Sequence, residues 1–280
     1  MFMDHKIKLV GFDLDGTLLN SEKVLTERTK KALSDVVEQG IVIVPVTGRT
    51  LAGVPKELME FPGVRYVITA NGARILDVVN GETIIEELLS REKCGIILEI
   101  FEKYDTLKEI YYDGVGYADR ESLDNMERYQ PDEAMGRYIR ATRIPIESTR
   151  ARFEAEEKGM DKIQALFSDI SDKEKARLEV LAAVTDVEVT GAVLNNVEVN
   201  AKGIHKGNAL VKLGEVLGIK MEEIMAFGDG NNDIQMLEAV GVGVAMANSV
   251  PEVLAVADMV APSNNEDGVA QTIEKYVLAK

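Results

Sequence analysis

The stretch Ile41-Val42-Ile43-Val44-Pro45-Val46 constrains the fold more than any other part of this chain. It is continuous, apolar and mostly β-branched, with no polar face to turn toward water. Such a run suits a strand of a parallel sheet that is covered on both faces. The run at 7–12, broken only by Lys8 and Gly11, reads as a second buried strand. Between the two runs, Thr26 stands as an N-cap and Ala32, Leu33, Val36 and Val37 form a helical stripe. Gly40 stops it. Strand, helix, strand is the βαβ unit, with a right-handed crossover.

The same punctuation continues and then breaks off. The sequence predicts a helix over 51–60, a strand at 66–69, and a hairpin arm over 73–79 that turns at Asn80-Gly81. From 86 to 192 the texture is charged and irregular, with helices expected at 92–103, 149–158 and 172–183. Strands are expected there at 109–117, 161–167 and 187–189. After it come a helical stripe ending at Gly218, a short buried strand at 224–227, a helix at 234–239 and a strand at 242–245. A helix opened by Ser249 and Pro251, a strand at 258–261 and a helix at 268–278 close the chain. An insertion of about a hundred residues is too long for a crossover and must fold by itself. The expected architecture is thus an α/β, Rossmann-like parallel-sheet core at 1–85 and 193–280 with an α+β domain at 86–192 inserted into it. The two chain crossings, near Glu86 and Ala192, read as a hinge.

Composition narrows the function. Acids outnumber bases 48 to 32, a formal charge of -16. This argues against nucleic acid and against an anionic membrane surface as partners. Cys94 is the only cysteine, so no intrachain disulfide can form. No apolar run reaches membrane-spanning length, and 1–8 carries no signal-like apolar stretch, so the expected location is the cytoplasm. The 11 methionines read as core fillers. His5 and His205 read as surface residues, and Arg137, Arg140, Arg143, Arg150 and Arg152 as a solvated face.

The first strand runs directly into Asp13-Leu14-Asp15-Gly16-Thr17. In open α/β sheets ligands sit beyond the carboxyl ends of the strands. A continued strand would point Asp13 and Asp15 the same way; the turn residue Gly16 suggests instead one side chain and one backbone oxygen. Two like charges so close repel, burial adds to the cost, and a cation would offset both. The pair alone also fits an exposed acidic turn. Three further points, however, fall at expected strand ends or helix starts: Thr47, Lys206, and Asp229 with Asp233. Carboxylates without a His or Cys cluster select Mg2+ over zinc or copper. Thr47 offers a hydroxyl, Gly48 a backbone N–H near a helix start, Lys206 a positive charge and Asn232 an amide. Together they describe a phosphoryl pocket beside a magnesium ion.

These four points carry a resemblance. Asp13-Leu14-Asp15-Gly16-Thr17, Thr47-Gly48-Arg49, Lys206 and Gly228-Asp229-Gly230-Asn231-Asn232-Asp233, in this order and with a large insert after the second, resemble the motifs of the haloacid dehalogenase superfamily. Within it the chain is similar to the Cof-type phosphatases, which include sugar-phosphate phosphatases. The resemblance implies that Asp13 is the nucleophile that forms an aspartyl-phosphate. It implies that Asp15 is the general acid and then the base. The implied magnesium ligands are the Asp13 carboxylate, the Asp15 backbone oxygen and the Asp229 carboxylate, with Asp233 in support. Leu14 and Gly48 through their backbones, and Thr47, Lys206 and Asn232, would hold the phosphoryl oxygens. Arg49 is a candidate substrate contact, and Asn71-Gly72 reads as a tight turn near the site. The implied activity is Mg2+-dependent hydrolysis of a small phosphorylated metabolite, a sugar phosphate, with the insert as the family's cap that closes over the leaving group. A phosphomutase of the same superfamily is the alternative enzyme. A response-regulator-like phosphoacceptor is the non-catalytic alternative, but it predicts about half this length and no Gly228-to-Asp233 motif. A P-type ATPase would need membrane helices.

Overall fold

A computed structural model describes residues 6–191 and 194–279, so His5 and Ala192 lie outside the described residues. The chain divides into two compact units. One is Met1–Gly48, Val54–Ile85 and His205–Lys280; the other is Arg49–Gly53 and Glu86–Ile204.

The first unit is built on a five-stranded parallel sheet. Its order is Met259–Ala261, Val242–Met246, Ile224–Gly228, Leu9–Phe12, Val42–Pro45. Leu9, Val10, Phe12, Ile43 and Val44 are completely buried, as continuous apolar strands require. Phe12 stands level with Phe227 on one side and Pro45 on the other, so three strands end together. The strand order reverses at Leu9–Phe12: its successor in the chain lies on one side and the strand that follows the insertion on the other. That is a topological switch point, where open α/β sheets bind ligands. Strand Tyr66–Thr69 joins the Val42–Pro45 edge through the bridges Ile43↔Val64 and Val46↔Ile68, and starts a three-stranded sheet with Arg74–Asp77 and Glu82–Glu86. Helix Glu27–Glu38 is capped by Thr26, whose side chain accepts from the Thr29 N–H. Helix Lys206–Leu217 starts at His205, whose Nδ1 accepts from the Asn208 N–H at 3.2 Å, and ends at Gly218 with φ 66°. His205 is therefore a helix cap, half-buried, and not a surface bystander. The helix expected over 51–60 is a turn at Leu51–Gly53 and a single helical turn at Lys56–Met59. Pro55 between them has no N–H to donate and disfavours helical backbone at Val54.

The second unit is a six-stranded sheet in the order Val187–Thr190, Asn196–Ala201, Lys162–Phe167, Thr106–Tyr112, Val115–Asp119, Arg143–Ile146. Only the last pair is parallel. Helices Arg91–Phe101, Thr149–Ala155 and Ile170–Ala183 supply an apolar layer in which Ile97, Phe101, Phe153 and Val180 pack with Ile163, Phe167, Val197 and Val199. Strand alternation turns Glu109, Tyr111, Lys162, Gln164, Asn196, Glu198 and Asn200 to the opposite face. At one end of that face Leu107, Ala118 and Leu166 pack with Leu123 of helix Arg120–Asp124, Met126 of the turn Met126–Arg128 and Ile139 of helix Glu133–Thr142.

Three expectations change here. The sequence reading ended the insert at 192, but the second unit extends to Ile204, because Asn196–Ala201 is an interior strand of its sheet. The single strand expected over 109–117 is a hairpin that turns at Asp113-Gly114, both with positive φ. Arg143 is not part of a solvated face. It is buried and ion-paired with the fully buried Glu109, to which Tyr111 also donates a hydrogen bond. Arg137, Arg140, Arg150 and Arg152 do pair at the surface, with Glu133, Glu127, Glu102 and Glu156.

Candidate active site

Asp13 is the first residue beyond strand Leu9–Phe12, and its N–H still donates to Phe227 O at 3.0 Å, which extends the sheet ladder into the site. Lys206, at the first position of its helix, is wholly buried. It donates to Asp13 Oδ1 at 2.6 Å and to Asp233 Oδ1 at 2.7 Å. The other Asp233 oxygen accepts the N–H groups of Asp229 and Gly230, both at 3.0 Å. Asp233 thus folds the loop after strand Ile224–Gly228 back on itself and fixes Asp229. Thr17 Oγ1 donates to Asp229 Oδ1 at 2.7 Å. Ligand oxygens of Asp13, Asp229 and Asp233 lie within 4.8 Å of one another.

Gly16 holds this arrangement open. Its φ is 79°, a left-handed conformation, and a Cβ there would stand 2.3 Å from Asp229 Oδ2. Asn248 Nδ2 donates to Gly16 O at 2.8 Å from the other side of the turn.

The second wall comes from the end of strand Val42–Pro45. Thr47 is buried; its N–H donates to Ile68 O at 2.9 Å and its carbonyl accepts the Asn71 N–H at 3.1 Å. Ala70, Asn71 and Gly72 all have positive φ, and a Cβ on Gly72 would lie 2.9 Å from His205 O. Asn71 Oδ1 accepts from Asn232 Nδ2 at 3.2 Å and would be 2.7 Å from a Cβ on Gly48. The tight turn at Asn71-Gly72 is thus a working part of the wall, joining Thr47, Gly48 and Asn232.

Electrostatics follow from this packing. Burial pushes the Asp13 carboxyl up to about 8, with Lys206 opposing and Asp233, Asp229 and Asp15 adding to the rise. Burial and the neighbouring Asp233 lift Asp229 to about 6, against the Thr17 hydrogen bond and Lys206. Burial alone would pull Lys206 down, but Asp13 and Asp233 outweigh it and hold it above its ordinary value. Excess carboxylate charge is therefore the dominant feature of the cavity. The hard oxygen donors of Asp13 and Asp229 match what a divalent cation binds.

Of the residues singled out by sequence, Asp13, Leu14, Asp15, Thr47, Gly48, Lys206, Asp229, Asn232 and Asp233 all lie in the first unit. Leu14 is completely buried. Arg49 groups with the second unit, where its Nη1 donates to Gly53 O at 2.6 Å and its guanidinium lies 4.5 Å from the Tyr138 ring centroid. The sequence reading did not single out Thr17, Asn248 or Lys23; Lys23 Nζ donates to Asp15 Oδ1 at 2.7 Å. Thr17 sits inside the first motif and was legible there, whereas Asn248 and Lys23 reach the site from loops that carry no motif.

The model of haloacid dehalogenase-like hydrolases matches residues 10–273. The chain belongs to this family. A 5-amino-6-(5-phospho-D-ribitylamino)uracil phosphatase of Bacillus subtilis, YcsE, is 32% identical over 276 residues, 98% of either chain. A solved haloacid dehalogenase-like hydrolase from B. subtilis superposes with a TM-score of 0.85 at 30% identity, covering 96% of this chain and all of that one. A subclass IIB sugar phosphatase of the superfamily superposes at 0.83 with 26% identity, covering 97% of this chain and 100% of its own. The protein is a phosphomonoester hydrolase of the Cof type within this family, and its α/β core with an additional α+β unit is the family's fold. Among the described residues no helix is long and apolar enough to cross a membrane.

Proposed function

We propose that the protein is a cytoplasmic, Mg2+-dependent phosphatase of a small phosphorylated polyol, acting through an aspartyl-phosphate on Asp13. The observation that carries the reading is the position of Asp13: it stands at the switch-point strand end, its Oδ1 held by a buried lysine and a second carboxylate beside it. The names of the relatives support the substrate class. One acts on a 5-phospho-D-ribityl compound and another on sugar phosphates, and both leave an alcohol of a polyhydroxylated chain.

Asp13 attacks phosphorus, a bond forms from its carboxylate oxygen, and the bond from phosphorus to the substrate oxygen breaks. Asp15 gives its proton to the departing oxygen. In the second half-reaction Asp15 takes a proton from the water that attacks phosphorus, and orthophosphate and the free Asp13 carboxylate result. One group serves both steps because the proton moves in opposite directions. Thr47, Gly48, Lys206 and Asn232 hold the phosphoryl oxygens, and Leu14 adds its backbone N–H. The metal would be held by the Asp13 and Asp229 carboxylates and the Asp15 backbone oxygen, with Asp233 holding the Asp229 loop. Bound Mg2+ supplies the positive charge that favours ionised carboxylates and neutralises phosphoryl oxygens.

The test is phosphate release from a panel of phosphorylated metabolites with Mg2+ or with EDTA, and rapid-quench capture of a labelled phosphoenzyme. Label on the Asp13 peptide, and release that stops in EDTA, are the expected results. Label passed to a second sugar instead of to water would make the protein a mutase. Release that persists in EDTA would overturn the metal assignment.

A further inference from the structure

The loop after the first motif contains a lysine aimed at Asp15, and its construction exceeds what a surface loop needs. Lys23 Nζ donates to Asp15 Oδ1 at 2.7 Å. Its backbone sits at φ 63°, left-handed, a conformation that side-chain-bearing residues rarely adopt. The turn that imposes this is closed by Asn20, whose Oδ1 accepts the N–H groups of Glu22 at 3.0 Å and Val24 at 2.9 Å. The Lys23 N–H donates to Asn20 O at 2.9 Å. The turn is in turn fastened to the loop at 264–265. Asn264 Nδ2 donates to Leu19 O at 2.9 Å, Ser21 N–H to Asn265 Oδ1 at 2.9 Å, and Asn265 Nδ2 to Ser21 Oγ at 2.9 Å.

The ion pair itself does not account for this construction. Its side chains are 40% and 31% exposed, and such a pair contributes little to stability. What a strained and doubly fastened turn delivers is position. The last torsion of an aspartate is broad, and a proton donor is effective only when held at the oxygen it serves.

We propose that Lys23 is a positioning residue for Asp15: it holds the carboxyl in the orientation from which the departing alkoxide is protonated. The proposal rests on the reading of Asp15 as general acid. It predicts an effect that depends on the leaving group. The parameter kcat/KM covers bond formation from Asp13 and cleavage at the substrate oxygen. An alkoxide such as that of ribose 5-phosphate needs a proton to leave, whereas p-nitrophenolate does not.

The experiment compares kcat/KM for ribose 5-phosphate and p-nitrophenyl phosphate in wild type, Lys23→Ala, Lys23→Arg, Asp15→Asn and the Asp15→Asn/Lys23→Ala double variant. Lys23→Ala should lose about tenfold or more on ribose 5-phosphate, part of the 10²–10⁴ that general acid catalysis contributes. On p-nitrophenyl phosphate it should lose less than twofold. Lys23→Arg should recover most of the loss, and in the Asp15→Asn background the alanine should add nothing. Equal losses on both esters, or no loss on either, overturn the proposal, since a phosphate-binding or purely structural lysine gives the first and a bystander the second. If Asp15→Asn itself shows no bias toward the good leaving group, the assignment of Asp15 fails, whatever Lys23 does.

Discussion

Asp13→Asn should abolish turnover and at the same time make the metal-free protein more stable at pH 8. The fold holds the Asp13 carboxyl at about 8, against an ordinary 3.8, because ionising it means placing a further negative charge in a buried cavity already occupied by Asp229 and Asp233. A shift of about 4 units at 1.36 kcal/mol each sets a ceiling on the order of 5 kcal/mol. Relaxation and water entry raise the effective dielectric, and about 1–3 kcal/mol is the expected gain. Asparagine keeps the shape and still offers Lys206 an oxygen. Because the folded-state value is raised, the stability at stake is fully present below about pH 4 and is lost as pH rises toward 8. The advantage of the variant should therefore be near zero at pH 4 and largest at pH 8. At about 2–4 °C per kcal/mol, this is a rise in Tm of several degrees, read by differential scanning calorimetry in EDTA. Mg2+ should close the gap by stabilising wild type more than the variant. A variant that is no more stable than wild type at pH 8, or whose gain is the same at pH 5 and pH 8, would refute the picture of an overcharged site.

Three further outcomes follow from the same geometry. Asp229→Ala should weaken Mg2+ binding and kcat together, and titration calorimetry showing wild-type Mg2+ affinity would remove Asp229 from the metal site. Gly16→Ala places a methyl group 2.3 Å from Asp229 Oδ2 on a left-handed backbone, so kcat should fall at least tenfold with the midpoint of denaturation lowered; wild-type kinetics would show that the turn has room to yield. Arg143→Met strands the buried Glu109 and should cost about 3–5 kcal/mol in urea denaturation, most of which the Glu109→Gln/Arg143→Met pair should restore.

What the sequence could say about this fold depended on whether the local pattern and the tertiary environment agree. They agree in the parallel sheet: 7–12, 41–46 and 224–227 are continuous apolar runs because both faces are covered, and each site residue follows directly from a strand end or helix start. They disagree in the second unit. Asn196–Ala201 reads Asn-Val-Glu-Val-Asn-Ala, and its polar members look like loop until the sheet face they share is seen to carry Lys162, Gln164 and Glu109 as well. Arg143 looked solvated for the same reason: nothing near it in the chain announces Glu109, 34 residues away. The turn at Asn20 to Val24 escaped notice because its positive φ falls on a lysine, where Gly or Asn would have marked it.

The charge balance of the site explains why one fold element after another is spent on holding it together. With all three carboxylates ionised, Asp13, Asp229 and Asp233 against Lys206 would leave two net negative charges in a cavity, within a chain whose formal charge is already -16, and the raised value of Asp13 expresses that cost. A phosphate monoester approaching that cavity alone meets repulsion from the global field and from the site. One divalent cation would cancel the local excess, so ester and cation would favour each other's binding, and such coupling is reciprocal. Lys206 cannot take the cation's place, because its single charge is already shared between two carboxylates. Its charge, placed between them, lets Asp13 and Asp233 lie side by side. The Asp233 contacts to two backbone amides, the Thr17 hydroxyl on Asp229 and the left-handed Gly16 are the means by which the fold sustains an arrangement that its own electrostatics oppose.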